Sequence, residues 1–285
     1  MKKSNLSRIY ICLISAFLGM GSMANAQNPE SELGWKLGSQ AYTFNHFTFF
    51  EAVEKIKEAN LEYVEAFPGQ TIGGGIEGEM DFKMDAEKRK QILKKLDDEG
   101  VQLISFGVVG VGNTEEWEQL FRFAKAMNIQ NIISEPKQEE FDLLSTLCDK
   151  YEINLAIHNH PKPSRYWNPD ILLEAIKGQS DRIGACADIG HWVRSGLDPL
   201  ECLKKLEGHV IEFHFKDLNE KSEDAHDVHW GQGISKVDEI LTYLKKQEFE
   251  GPFFAEYEYN WDNNMVDVKA SAKYFRQYVE ELTKN

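Results

Sequence analysis

Cysteine is scarce in this chain: four in 285 residues, with no Cys-x-x-Cys pair and no zinc-finger spacing. That excludes a thiolate metal site as the source of its chemistry. Three of the four, Cys148, Cys186 and Cys202, lie within apolar-periodic segments and are expected as buried free thiols. Phosphate-cradling turns are missing as well. The glycine-rich "TIGGGIEGEM" (71–80) has neither the G-x-G-x-x-G order nor a following Lys-Ser/Thr, so it is no dinucleotide or nucleotide fingerprint. It reads as a flexible loop over a site or as a plain surface loop. Positive charge is also in deficit, with 32 Lys and Arg against 47 Asp and Glu and a formal net charge of −15. Such a surface repels phosphate backbones and anionic membranes, so nucleic acid is not an expected partner.

What is present begins with a three-part N-terminus. Lys2, Lys3 and Arg8 precede the apolar run "IYICLISAFLGM", and "ANA" precedes Gln27. That is the pattern of a secretory signal over 1–26, and the run is too short to span a bilayer as a stop-transfer helix. The expected mature product is exported, periplasmic or secreted, with no membrane attachment after cleavage. It comprises residues 27–285 and carries a net charge of −18.

From there the chain alternates eight times between short β-rich runs and longer amphipathic ones. The strand-like runs are "WKLGSQAY" (35–42), "LEYVEAF" (61–67), "VQLISFG" (101–107), "NIISE" (131–135), "INLAIHNH" (153–160), "RIGACAD" (182–188), "HVIEFHFK" (209–216) and "GPFFAEYE" (251–258). Helical periodicity fills the gaps, as in "DAEKRKQILKKLDDEG". Strand, helix, strand at this pace implies parallel pairing, because parallel neighbours need a crossover. Eight units in a single domain predict an α/β fold, one (β/α)8 TIM barrel.

In such a barrel the chemistry sits at the carboxyl ends of the strands. Here those ends are polar: Glu135 on the fourth, His158 and His160 on the fifth, Asp188 on the sixth, His214 and Lys216 on the seventh, Glu256 and Glu258 on the eighth. Alternation places Glu135 with Ile133, Asp188 with Gly184 and Cys186, and Glu256 with Phe254. It also places Glu212, His214 and Lys216 opposite Ile211, Phe213 and Phe215. Glu135, Asp188, His214 and Glu256 then face inward at one rim, where three carboxylates would repel one another unless a cation sat between them. Oxygen-rich ligation with one histidine favours Mn²⁺ or Mg²⁺, with Co²⁺ and Zn²⁺ also compatible.

These motifs, "SEP" with Glu135, "ADIGHW" with Asp188 and His191, "HFKD" with His214 and Lys216, "HDVHWGQG" (226–233) and "AEYE" with Glu256, resemble the xylose-isomerase-like barrel superfamily. That superfamily holds sugar isomerases and epimerases, inosose dehydratases and the distant endonuclease IV. The resemblance implies that Glu135, Asp188, His214 and Glu256 bind one divalent metal. It implies that Glu135 and Glu256 flank the substrate carbon as acid and base, and that His191 and Lys216 hold substrate oxygens, with Lys216 part of the catalytic group. Endonuclease IV adds an Asp-x-His after its seventh strand, which Asp227-Val-His229 matches. A second metal at His191, Asp227 and His229 is therefore an expectation to test. That enzyme's histidines on strands 2 and 3 are replaced by Glu65-Ala66-Phe67 and Phe106-Gly107, which argues against DNA repair.

Aromatic residues crowd the expected rim, among them Tyr42, Phe67, Trp167, Trp192, Trp230 and Trp261, and such rings stack on sugar C–H faces. With His158, His160, His191 and Glu65, the residues Tyr42, Trp167 and Trp230 form the expected substrate surface. The substrate is expected to be a small carbohydrate, non-phosphorylated because sugar phosphates are kept in the cytoplasm. Homo-oligomerisation is left open. The reaction expected is isomerisation or epimerisation next to a carbonyl. Two alternatives stand beside it: a lyase that eliminates the aglycone of a 3-keto-glycoside, as some superfamily members do, and a barrel that only binds sugar through its metal.

Overall fold

The computed structural model describes residues 28–284; the signal-peptide reading falls on residues outside that range. Eight parallel strands close into a barrel: β1 Trp35–Gln40, β2 Tyr63–Ala66, β3 Gln102–Phe106, β4 Asn131–Ser134, β5 Asn154–His158, β6 Ile183–Asp188, β7 Val210–Phe215 and β8 Gly251–Ala255. Each pairs with its neighbours in sequence and β8 closes on β1. Helices α1 (Phe49–Glu58), α2 (Ala86–Glu99), α3 (Thr114–Ala126), α4 (Phe141–Tyr151), α5 (Pro169–Ala175), α6 (Ile189–Arg194), α7 (Pro199–Lys205), α8 (Val237–Lys246) and α9 (Met265–Lys284) are the helices among the described residues. This is the single TIM barrel that the alternation predicts.

Two apolar layers and one polar one build it. Between strands and helices, Phe253 stacks on Phe213 at 4.9 Å and packs against Trp35 at 5.0 Å and Phe275 of α9 at 5.1 Å. Burying rings of this size stabilises the layer by roughly 1.5–3 kcal/mol each. Inside the barrel a small apolar plug of Ile133, Ala156 and Cys186 is accompanied by buried polar groups. Glu212 accepts hydrogen bonds from Ser105 Oγ (2.6 Å) and Asn131 Nδ2 (2.7 Å). Burial, helped by repulsion from Glu65, pushes its carboxyl up to about 8. All three cysteines are buried and free.

One facing is corrected. Ile211, read beside Phe213 and Phe215, packs instead against the plug. The register shifts between Ala185 and Cys186, so that residues 210 to 212 of β7 span one step of β6. Such a bulge turns the extra residue away from its alternating place. Gly184 sits at this irregularity with the His209 carbonyl 2.2 Å from where a Cβ would lie. The segment at 71–80 is likewise no flexible loop. Thr71–Gly73 and Ile76–Glu79 form an antiparallel hairpin against α1, and Gly73, at φ 87°, leaves the space that Thr48 fills.

Candidate metal centre and catalytic rim

Ladder pairing ends earlier than the apolar runs suggest, at Ser134, His158, Phe215 and Ala255. Glu135, His160, Lys216 and Glu256 therefore stand just beyond the strands. Asp188 is the exception, being both the last residue of β6 and the N-cap of α6. Its Oδ1 accepts the His191 N–H at 2.7 Å. Asn159, just past β5, clamps it through its own backbone: Nδ2 donates to the Asp188 carbonyl and the Asp188 N–H donates to Oδ1, both at 2.9 Å. This amide pair, which no sequence signal flagged, fixes His158 relative to Asp188.

The other carboxylate oxygen of Asp188, Oδ2, lies 2.9 Å from Lys216 Nζ, 3.5 Å from His191 Nε2 and 3.6 Å from His158 Nε2. Burial pushes this carboxyl up, but its interactions with His191, Lys216 and His158 outweigh it and hold it well below the usual range. Lys216 is fully buried, and its Nζ also lies 2.8 Å from Glu256 Oε2 and 3.0 Å from Glu258 Oε2. Burial alone would lower its pKa; the three carboxylates raise it well above the usual value. His191 goes the other way. Burial, reinforced by Lys216 and His158, holds it well below the usual imidazole value despite Asp188. It is a neutral ring whose Nδ1 faces an Arg194 N–H at 3.2 Å.

On β7, His214 donates its Nε2–H to Glu65 Oε2 at 2.8 Å and turns Nδ1 to Glu256 Oε2 at 3.0 Å. Burial lowers its pKa, but Cys186, Glu65 and Glu256 raise it well above the usual imidazole value, so a cation bound at Nδ1 would displace a proton. His158 Nε2, His214 Nδ1 and Glu256 Oε2 are buried without an aligned hydrogen bond, although Glu256 Oε2 touches both His214 and Lys216. Buried polar atoms are ordinarily satisfied. Ligand atoms of His158, Asp188, His214 and Glu256 lie within 4.8 Å of one another. Two imidazoles and two carboxylates converging in this way fit a divalent cation.

Three of the four expected ligands thus meet, and the fourth place is taken by His158. Glu135 is drawn off to the next group: its Oε1 bonds the His160 ring, accepts the His160 N–H at 3.3 Å and lies 3.4 Å from His158 Nδ1. Burial pushes Glu135 up, but the hydrogen bonds from His158 and His160 hold it well below the carboxylate range. The expected second metal set is not brought together. Arg194 occupies its middle, with Nη2 3.2 Å from Asp227 and Nη1 2.7 Å from Glu258 as well as its contact to His191. A guanidinium there replaces a cation, and His229 pairs outward with Asp267 at 3.7 Å.

Of the expected substrate surface, Tyr42, His160 and His191 line the central cavity with Glu256 and Glu258. Tyr42 packs edge-on against Phe67 (5.1 Å) and Trp261 (5.5 Å). Glu65 is buried under His214 and does not face the cavity. Trp230 is a core residue, 2% exposed, packed on Phe215 with its N–H given to the Phe215 carbonyl. Trp192 is buried too, and Trp167 lies under the Lys162 ammonium, outside the cavity lining. Gly231-Gln232-Gly233 is no phosphate cradle, because Asp217 Oδ2 already accepts the Gly231 and Gly233 N–H groups at 2.9 Å.

Residues 53–278 match the family described as xylose isomerase-like TIM barrel. The chain belongs to this family. Among solved structures it is similar to an uncharacterized protein from Parabacteroides distasonis, at 32% identity over 86% of this chain and 99% of that one, with a TM-score of 0.71. A D-tagatose 3-epimerase-like protein shares the fold at 18% identity and a TM-score of 0.70, over 87% of this chain and 98% of that one. Inosose dehydratase 2 of Bacillus cereus is 25% identical over 130 residues, which is 40% of this chain. The match spans 44% of that enzyme's length.

Proposed function

We propose that this barrel is a divalent-metal-dependent isomerase or epimerase that moves a hydrogen on the carbon next to a carbonyl in a non-phosphorylated sugar or sugar derivative. The observation that carries the reading is the convergence of His158, Asp188, His214 and Glu256, of which Glu256 lines the rim cavity, with three of their ligand atoms lacking a hydrogen bond. Relatives named for inosose dehydration and similarity to tagatose 3-epimerase support a polyhydroxylated substrate. Tyr42 and Phe67, which line the cavity together with His191 and Glu256, support it too. With two imidazoles in the set, Mn²⁺, Co²⁺ and Zn²⁺ suit the site better than Mg²⁺, and Mn²⁺ is the proposed ion. Export, read from residues 1–26, is part of the proposal.

When bound, the cation supplies a Lewis acid that polarises the carbonyl. The chain's own residues do the rest. Glu256 lines the cavity as an ionised carboxylate, held well below the usual range because Lys216 and His214 outweigh its burial. It can take the proton from carbon. The neutral His191, which lines the cavity, presents its Nε2–H to a substrate oxygen, while Lys216, buried with its N–H groups on Asp188, Glu256 and Glu258, holds those carboxylates in place. His160, bonded to Glu135, faces the same cavity from the β5 side, where a proton returned to the other face would originate.

The test is ¹H NMR in D₂O of free ketoses and 3-keto-glycosides, with the protein stripped of metal and then loaded with Mn²⁺, Co²⁺, Zn²⁺ or Mg²⁺ in turn. Metal-dependent loss of the C–H signal next to the carbonyl is expected, and Glu256→Gln should slow it by about 10² or more while substrate still binds. No exchange on any member of the panel would overturn the reading. The same spectra separate epimerisation from aglycone elimination and from binding without turnover.

A further inference from the structure

The rim carries a second cavity that the reading above leaves unused. The central cavity, about 320 Å³, is lined by Tyr42, Phe67, Val108, His160, His191 and Glu256 among others. Beside it lies a cavity of about 310 Å³ between the loops that follow β3, β4 and β5. Val108 and His160 line both, so the two cavities abut across those side chains. Each alone is at the lower end of the range for small-molecule clefts, about 300–1,000 Å³.

We propose that this side cavity is a second subsite, which takes the other ring of a glycoside, so that the substrate has two rings rather than one. The inference rests on the sugar reading above and names its substrate class. Three observations carry it. Glu135 and Glu256, the two rim carboxylates that the family resemblance pairs across one carbon, line different cavities: Glu256 the central one and Glu135 the side one. The side cavity has the mixed lining a sugar ring needs. Val108, Val109 and Val111 offer apolar surface, and Glu135 and Arg165 offer an acceptor and donors. Arg165 is itself anchored, donating to the Pro136 carbonyl at 2.7 Å, so its head is placed rather than free. A molecule filling both cavities crosses at His160, which puts the bond between its rings over the Glu135–His160 pair.

The full chain in its Glu256→Gln form, loaded with Mn²⁺ and expected to turn over more slowly by about 10²-fold or more, is titrated calorimetrically with a methyl 3-keto-glucoside and with a 3-keto disaccharide. Gly110→Trp is the blocking variant. Gly110 lines the side cavity, is exposed, and has nothing within 4 Å of where its Cβ would lie. The disaccharide should bind about tenfold tighter than the methyl glycoside or better. Gly110→Trp should remove that margin while leaving the methyl glycoside within about twofold. Val111→Trp should repeat the result from a neighbouring position. Equal affinities in the unblocked protein, or a margin that survives both tryptophans, would overturn the subsite and leave the sugar reading standing. Failure of both glycosides to bind would sink the sugar reading, and the subsite with it.

Discussion

Glu65 decides which nitrogen of His214 faces the rim. It is buried beside the ring and takes the Nε2–H at 2.8 Å, which leaves the Nδ1 lone pair for the cluster. Outer partners of this kind orient a metal-binding imidazole and raise its basicity. Glu65→Gln should weaken cation binding by about 10–100-fold in a chelator-competition titration, with an unchanged far-ultraviolet spectrum; unaltered affinity would contradict that role. Asp227 makes a different claim at the same scale. Burial, opposed by Lys216 and Arg194, pushes its carboxyl up to about 7. The unfolded chain releases this proton near the ordinary 3.8, while the folded chain holds it to about 7. Across that window unfolding releases a proton, so stability falls as pH rises, by at most about 1.4 kcal/mol per unit from this group. The urea midpoint should drop between about pH 5 and about pH 7, and less steeply in Asp227→Asn. Identical slopes would refute the assignment.

At the scale of elements, the strand ends and the loops beyond them do the positioning. The loop after β7 is organised by one carboxylate: Asp217 accepts the N–H groups of Gly231, Gly233 and Ser235, each at 2.9 Å. Asp217→Ala leaves those donors without their acceptor and should cost about 1–3 kcal/mol in urea unfolding. A neutral effect would mean water replaces the carboxylate freely. The same scale explains what was legible in the sequence and what was not. Inside a ladder, alternation fixes which way a side chain points, so Asp188 and His214 were readable as inward. Past the last paired residue it no longer does, and Glu135, one residue beyond Ser134, turned to His160 while His158, still within β5, took its place. The bulge that moved Ile211 is invisible in a pattern of period two. Arg194 and Glu258, which close the second-metal site, lie in a helix and a loop where no periodicity marks a site residue. Rim aromatics failed for a related reason: in loops, the apolar character of Trp230 gives no hint that its ring folds back onto Phe215 and Phe275.

For the molecule as a whole, eight repeats of strand and crossover were enough to specify a closed parallel barrel. They also specified the end at which chemistry is expected, since that depends on topology and not on side-chain detail. The barrel interior holds only a small apolar plug of Ile133, Ala156 and Cys186, and it buries the charged groups Glu212, Glu65 and His214 as well. The central claim is that His158, Asp188, His214 and Glu256 form one cation centre with two imidazoles. Electron spin-echo spectroscopy of the protein loaded with one equivalent of Mn²⁺ tests this most directly. The expected result is modulation from two histidine nitrogens, reduced to one in His158→Ala. A single nitrogen in the parent protein, or a spectrum that His158→Ala leaves unchanged, would contradict the account.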